Sequence, residues 1–125
     1  MTDLSNNDVF RDSWEGAEAF FPTMASRSGY DWLFPMGALV EELRHRGFDR
    51  MFRFGHSLWF MVLSRSLKHG LRSGQPYVEI RPLAEGGLSI RYELAGKRGV
   101  LKSKTVSLTP HLENLLQLLA AEEAN

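Results

Sequence analysis

The chain has 125 residues, 43% of them hydrophobic, with fifteen basic and fifteen acidic side chains and no cysteine. That size and composition fit one folded domain and exclude a wholly disordered chain. The lack of cysteine excludes disulfides, thiolate metal sites and cysteine nucleophiles.

Residues 1–9 are polar and aperiodic and read as a disordered N-terminus. Residues 10–125 read as a single α+β domain, an aromatic, acidic arm over 10–35 leading into a core over 36–122. Seven of the fourteen aromatics fall in the arm: Phe10, Trp14, Phe20, Phe21, Tyr30, Trp32 and Phe34. Ser13 predicts the cap of a short helix over 14–21. Pro22 ends that helix, and 22–32 reads as a loop. Pro35 then opens a helix over 36–46, where Met36, Leu39, Val40 and Leu43 form one stripe and Gly47 supplies the stop.

Residues 50–54 alternate and predict a short strand. The run over 57–69 holds the longest apolar stretch, Leu58 to Leu63. By itself it permits a strand, but its ends favour a helix: Ser57 suits an N-cap, and Lys68, His69 and Gly70 suit a last turn and stop. Trp59, Phe60, Leu63 and Leu67 then share a face.

Alternation predicts strands over 77–82 and 88–94, joined across Gly86-Gly87. A third strand over 100–108 follows a turn at Gly96-Lys97-Arg98-Gly99. Thr109 and Pro110 open a last helix over 110–122, with Leu112, Leu115, Leu116 and Leu119 as its stripe and Leu118 widening it. The expected order is α-α-α-β-β-β-α. It describes a three-stranded antiparallel meander, with one extra short strand, covered by helices.

The α-β-β-β-α order over 57–122 resembles, in layout, the double-stranded-RNA-binding domain, whose two helices pack on one face of a three-stranded sheet. That family begins its last helix with lysines. Here Thr109-Pro110-His111-Leu112-Glu113 stands there, and Leu83-Ala84-Glu85-Gly86-Gly87 replaces the family's basic loop. The resemblance implies a layout and no grip on RNA.

Charge is unevenly placed. Residues 1–43 carry eight acids and two bases, 44–82 two acids and eight bases, and 83–125 five of each. The acidic and basic thirds either neutralise each other or leave a basic face for phosphate. The candidates for phosphate are Arg50, Arg53, His56, Arg65, Lys68 and Arg72. His56 is the odd histidine: Gly55-His56-Ser57 stands before an expected helix start, where an anion is favoured. His45 and His69 suit last helical turns, and no histidine has a metal spacing.

No constellation for catalysis, cofactor or metal is evident. The leading expectation is therefore a non-catalytic binding protein that docks to another protein or to a second copy of itself. Its interface candidates are the aromatics Trp14, Phe20, Phe21, Tyr30 and Trp32. Nucleic-acid or phosphate binding through 44–82 is the alternative, and an enzyme centred on His56 the third. The opening Met-Thr-Asp-Leu-Ser lacks the stretches of a signal peptide, and no run is long enough for a bilayer. The expected location is cytoplasmic, away from membranes.

Overall fold

The computed structural model describes residues 5–27, 29–57, 59–68, 71, 74–94 and 96–125. Among them the elements are α1 (Asn6–Ser13), α2 (Ala17–Ala25), α3 (Pro35–His45), β1 (Arg53–Ser57), β2 (Phe60–Ser64), β3 (Tyr77–Pro82), β4 (Leu88–Leu94), β5 (Lys97–Ser103) and α4 (Pro110–Ala120). Single 3-10 turns lie at Asp31–Leu33 and Phe48–Arg50. The class is α+β. The sheet is antiparallel throughout and has five strands in chain order, not three.

The first helix starts earlier than the sequence suggests. The Ser5 side chain accepts the Asp8 N–H at 3.2 Å, an N-cap, and Asp8 pairs with Arg11 at 2.8 Å. Residues 5–9 are thus a cap and first turn, not a frayed tail. The helix expected over 14–21 does not start at a Ser13 cap: Ser13 is the last residue of α1, Gly16 turns the chain at φ +79, where a side chain is strained, and α2 begins at Ala17. Trp14 closes α1 and is fully buried.

Pro22 does not end α2, and Thr23, Met24 and Ala25 of the expected loop are helical. The proline leaves the Glu18 carbonyl without its usual donor. Its ring lies against Gly37 of α3, where an added Cβ would stand 2.9 Å from the proline Cγ. The missing side chain on α3 is what admits the ring.

Helix α3 matches its expected stripe, with Met36, Leu39, Val40 and Leu43 buried. In α4 the same holds for Leu112, Leu115, Leu116 and Leu119. Leu118, expected to widen that stripe, is 57% exposed. Thr109 caps α4 by accepting the Leu112 N–H at 3.2 Å.

The segment 57–69 corrects the sequence reading. Phe60–Ser64 is a strand, paired with β1 in the register Ser57↔Phe60 to Arg53↔Ser64 and with β3 from Met61↔Ile80 to Ser64↔Tyr77. Met61 and Leu63 are buried on the helix side, while Phe60 and Val62 face the other way and are half-buried. The Arg81 guanidinium covers Phe60 at 4.3 Å from the ring. Both faces of β2 are therefore apolar, which erases the alternation that marks a half-buried strand. His69 and Gly70, the expected helix stop, lie outside the described residues. With a strand at this place the order over 57–122 is no longer α-β-β-β-α, and the likeness to the double-stranded-RNA-binding layout ends.

Strands β3 and β4 have the expected bounds. Strand β5 begins at Lys97, opposite Leu94, so Lys97, Arg98 and Gly99 pair in the ladder instead of forming a turn. One hydrophobic cluster joins the sheet's inner face to α2, α3, α4 and the residue that closes α1: Phe54, Met61, Leu63, Val78, Ile80, Leu88 and Ile90 meet Trp14, Phe21, Leu39, Leu43, Leu112 and Leu116. Burying each such large side chain contributes roughly 1.5–3 kcal/mol before entropy is counted. Among the described residues no helix is long and apolar enough to cross a membrane.

Candidate functional site

The five aromatic candidates divide by location. Trp14 and Phe21 are fully buried, and the Trp14 indole Nε1 donates to the Phe52 carbonyl at 2.8 Å. Both belong to the core. Phe20 is half-buried on the same helix and lies on the His56 ring, 3.7 Å between centroids. Tyr30 is 37% exposed and stands beside Trp32, centroids 6.4 Å apart. Trp32 in turn meets Trp59 edge-on, also at 6.4 Å.

Trp59 sits in the two-residue turn between β1 and β2. The helix expected over 57–69 places it on that helix's apolar face, so the sequence does not mark it as a partner for Trp32. Phe34, two residues after Trp32, is 67% exposed, the most exposed of the large apolar side chains described. The Trp32 indole Nε1 donates to the Gly29 carbonyl at 3.0 Å, which fixes the ring. Tyr30 and Trp32 from one segment and Trp59 from the β1–β2 connection thus form one aromatic cluster, with Trp32 and Trp59 partly buried against the core.

Of the phosphate candidates, Arg65 and Arg53 are turned onto backbone carbonyls. The Arg65 Nε donates to the Glu122 carbonyl at 3.0 Å and its Nη1 to the Met51 carbonyl at 2.7 Å, with the guanidinium 5.3 Å from the Phe10 ring centre. Burial pushes the Arg65 pKa down from its usual value. Its work is to tie α1, the approach to β1 and the C-terminal segment together. Arg53 donates from Nε to Ser66 at 2.8 Å and from Nη2 to Leu67 at 2.7 Å, both backbone carbonyls. Arg50 and Lys68 are exposed, and Arg72 lies outside the described residues.

The two charged thirds meet at Arg44, which lies 3.3 Å from Glu18 and 3.7 Å from Asp49. Arg46 pairs with Glu113 of α4.

His56 is in a strand, so the expected helix N-terminus beside it does not exist. His56 and Ser57 are consecutive in β1 and project to opposite faces, which removes a histidine–serine pair. Desolvation against Phe20 lowers the His56 pKa from 6.5. No group of three or more His, Asp or Glu among the described residues is placed to hold a metal ion.

A concavity of about 890 Å³ lies between α2 and the free edge of β1. Phe20, Thr23, Met24 and Arg27 come from α2; Arg53, Gly55, His56 and Ser57 come from β1; Val62, Ser64 and Leu71 close the far side. At its α1 end the Ser13 Oγ accepts the Phe54 N–H at 2.8 Å, which caps one outward-facing amide of the edge strand. Comparison with protein-family models, with curated proteins and with solved structures finds no match to this chain.

Proposed function

We propose that this chain is a non-catalytic binding protein that docks another protein on the aromatic surface built by 30–34 and the β1–β2 turn. The observation that carries this reading is the convergence of Tyr30, Trp32 and Trp59, with Phe34 two residues along the chain from Trp32 and 67% exposed. Aromatic side chains are favoured interface anchors, and clustered exposure of this kind marks association surfaces. The bond from Trp32 to Gly29 supports the reading further, because a ring already held in place has less freedom to lose on binding. The basic segment supports phosphate binding less well: Arg44 and Arg46 sit in ion pairs, and Arg65 is turned onto backbone carbonyls.

The test is capture from native lysate with the wild-type chain and with a Tyr30→Ser/Phe34→Ser variant, reading protein and nucleic acid on the same sample. A stoichiometric partner held by the wild type and lost by the variant supports docking at this surface. Equal capture by both removes the surface from the reading. Nucleic acid that salt releases replaces the reading altogether.

A further inference from the structure

Gly55 occupies the middle of an edge strand, a place where glycine weakens pairing. Nothing in the local fold requires it. Its φ is not positive, and an added Cβ meets only the Val62 carbonyl oxygen, at 3.7 Å, an ordinary contact. What the missing side chain does is leave open the wall of the groove between α2 and β1.

That groove, at about 890 Å³, has the size of a small-molecule site. Its lining is largely apolar, with Phe20, Met24, Phe54 and Val62 among its walls. Two guanidiniums, Arg27 and Arg53, line it against one carboxylate, Glu15. Among the described residues neither arginine has a carboxylate within 4 Å. Arg53 is also held rigidly: the Ser66 and Leu67 carbonyls take Nε and Nη2, and its Nη1 hydrogens are left over. A fixed, half-buried guanidinium with donors to spare and no carboxylate beside it is a ready donor to a carboxylate.

We infer that the α2–β1 groove binds a small organic carboxylate with an apolar body, the carboxylate on Arg53 and the body across Gly55 between Phe20, Met24 and Val62. This site is separate from the docking surface and does not depend on it, since Tyr30, Trp32, Phe34 and Trp59 are not part of the groove.

The test titrates the full chain with decanoate, decan-1-ol and decyltrimethylammonium, by calorimetry and by the shift of the His56 ring resonances. Decanoate is expected to bind at least about tenfold more tightly than the alcohol, the difference one charge-assisted hydrogen bond supplies. The ammonium is expected not to compete. Gly55→Val fills the groove from a strand position that accepts a β-branched side chain. It is expected to abolish decanoate binding while keeping or raising the thermal midpoint, so lost binding cannot be put down to lost folding. Arg53→Gln is expected to bring decanoate down to the level of the alcohol; should that variant unfold, Gly55→Val decides. No decanoate binding, unchanged binding in Gly55→Val, or equal binding of all three probes overturns the inference.

Discussion

The crossing of α2 and α3 gives a sharp test of the packing. At Gly37 an added Cβ would lie 2.9 Å from the Pro22 Cγ and 3.3 Å from its Cδ, both too close. The proline ring is bound to the α2 backbone and cannot swing aside. Alanine in place of glycine gains up to about 1 kcal/mol of helix propensity. Forcing a methyl against the ring costs about 1–3 kcal/mol, so Gly37→Ala is expected to destabilise by up to about 2 kcal/mol. With Pro22→Ala the obstructing atoms are gone, and the nearest remaining one is the Glu18 carbonyl oxygen at 3.8 Å. In that background Gly37→Ala is expected to stabilise. Urea denaturation of the four proteins gives the coupling, expected at about 1–3 kcal/mol with this sign. Coupling near zero would show that the ring and Gly37 do not share the crossing, and the account of why Pro22 is tolerated would fall.

Other contacts carry comparable expectations. Ser13→Ala leaves the Phe54 amide at the β1 edge without its acceptor. It should cost about 1–2 kcal/mol and speed hydrogen exchange at that amide; unchanged exchange would refute the cap. Arg65→Met keeps the apolar stem but loses the bonds to Met51 and Glu122, at a cost of about 1–3 kcal/mol in urea. Arg65→Lys should not restore it, because one ammonium does not reproduce the planar fork.

The folded state holds His56 below its ordinary pKa of 6.5 by desolvation, so the unfolded chain takes up that proton first as the pH falls. The associated stability is present above the unfolded value and is lost as the pH drops through it toward the lowered folded value. Between about pH 7.5 and about pH 5.5 the thermal midpoint should fall further in the wild type than in His56→Gln. Equal slopes would contradict the shift.

Strands β3 and β4 and helices α3 and α4 were legible because each buries one face only. Leu88 and Ile90 alternate with Ser89 and Arg91, and Met36, Leu39, Val40 and Leu43 repeat at helical spacing, so the period survives in the letters. Strand β2 was not legible, since the Arg81 guanidinium shelters Phe60 and the strand becomes apolar on both sides. Local end signals then favoured the wrong state: Ser57, expected to cap a helix, is the last residue of β1. The start of α1 was hidden for the opposite reason. Its single fully buried side chain, Phe10, makes too narrow a stripe to show a period, and contacts with the Phe48–Arg50 turn and β1 supply the rest. Of the site, the aromatic arm was visible as composition. Its joining to Trp59 needed the β1–β2 hairpin, and the groove needed the strand that places Gly55 at an edge.

The arm shows why composition alone could not separate core from surface. Phe20 and Phe21 are neighbours on α2, yet Phe21 is fully buried while Phe20 rests half-exposed on His56. Helical geometry turns consecutive side chains about 100° apart, so an aromatic pair on a surface helix divides between inside and rim. The 30–34 segment repeats the division: Leu33 is buried, and Tyr30 and Phe34 are exposed. These two classes predict opposite results. Phe21→Ala should cost about 3–5 kcal/mol, as a large core side chain does. Tyr30→Ser/Phe34→Ser should change stability by less than about 0.5 kcal/mol for each site, as exposed positions do. Chemical denaturation distinguishes them directly. A large loss in the double variant would mean that the exposed rings hold the fold together, and their exposure would then need no partner to explain it. A negligible loss shows that these rings do not serve stability, which is what the docking proposal requires of them.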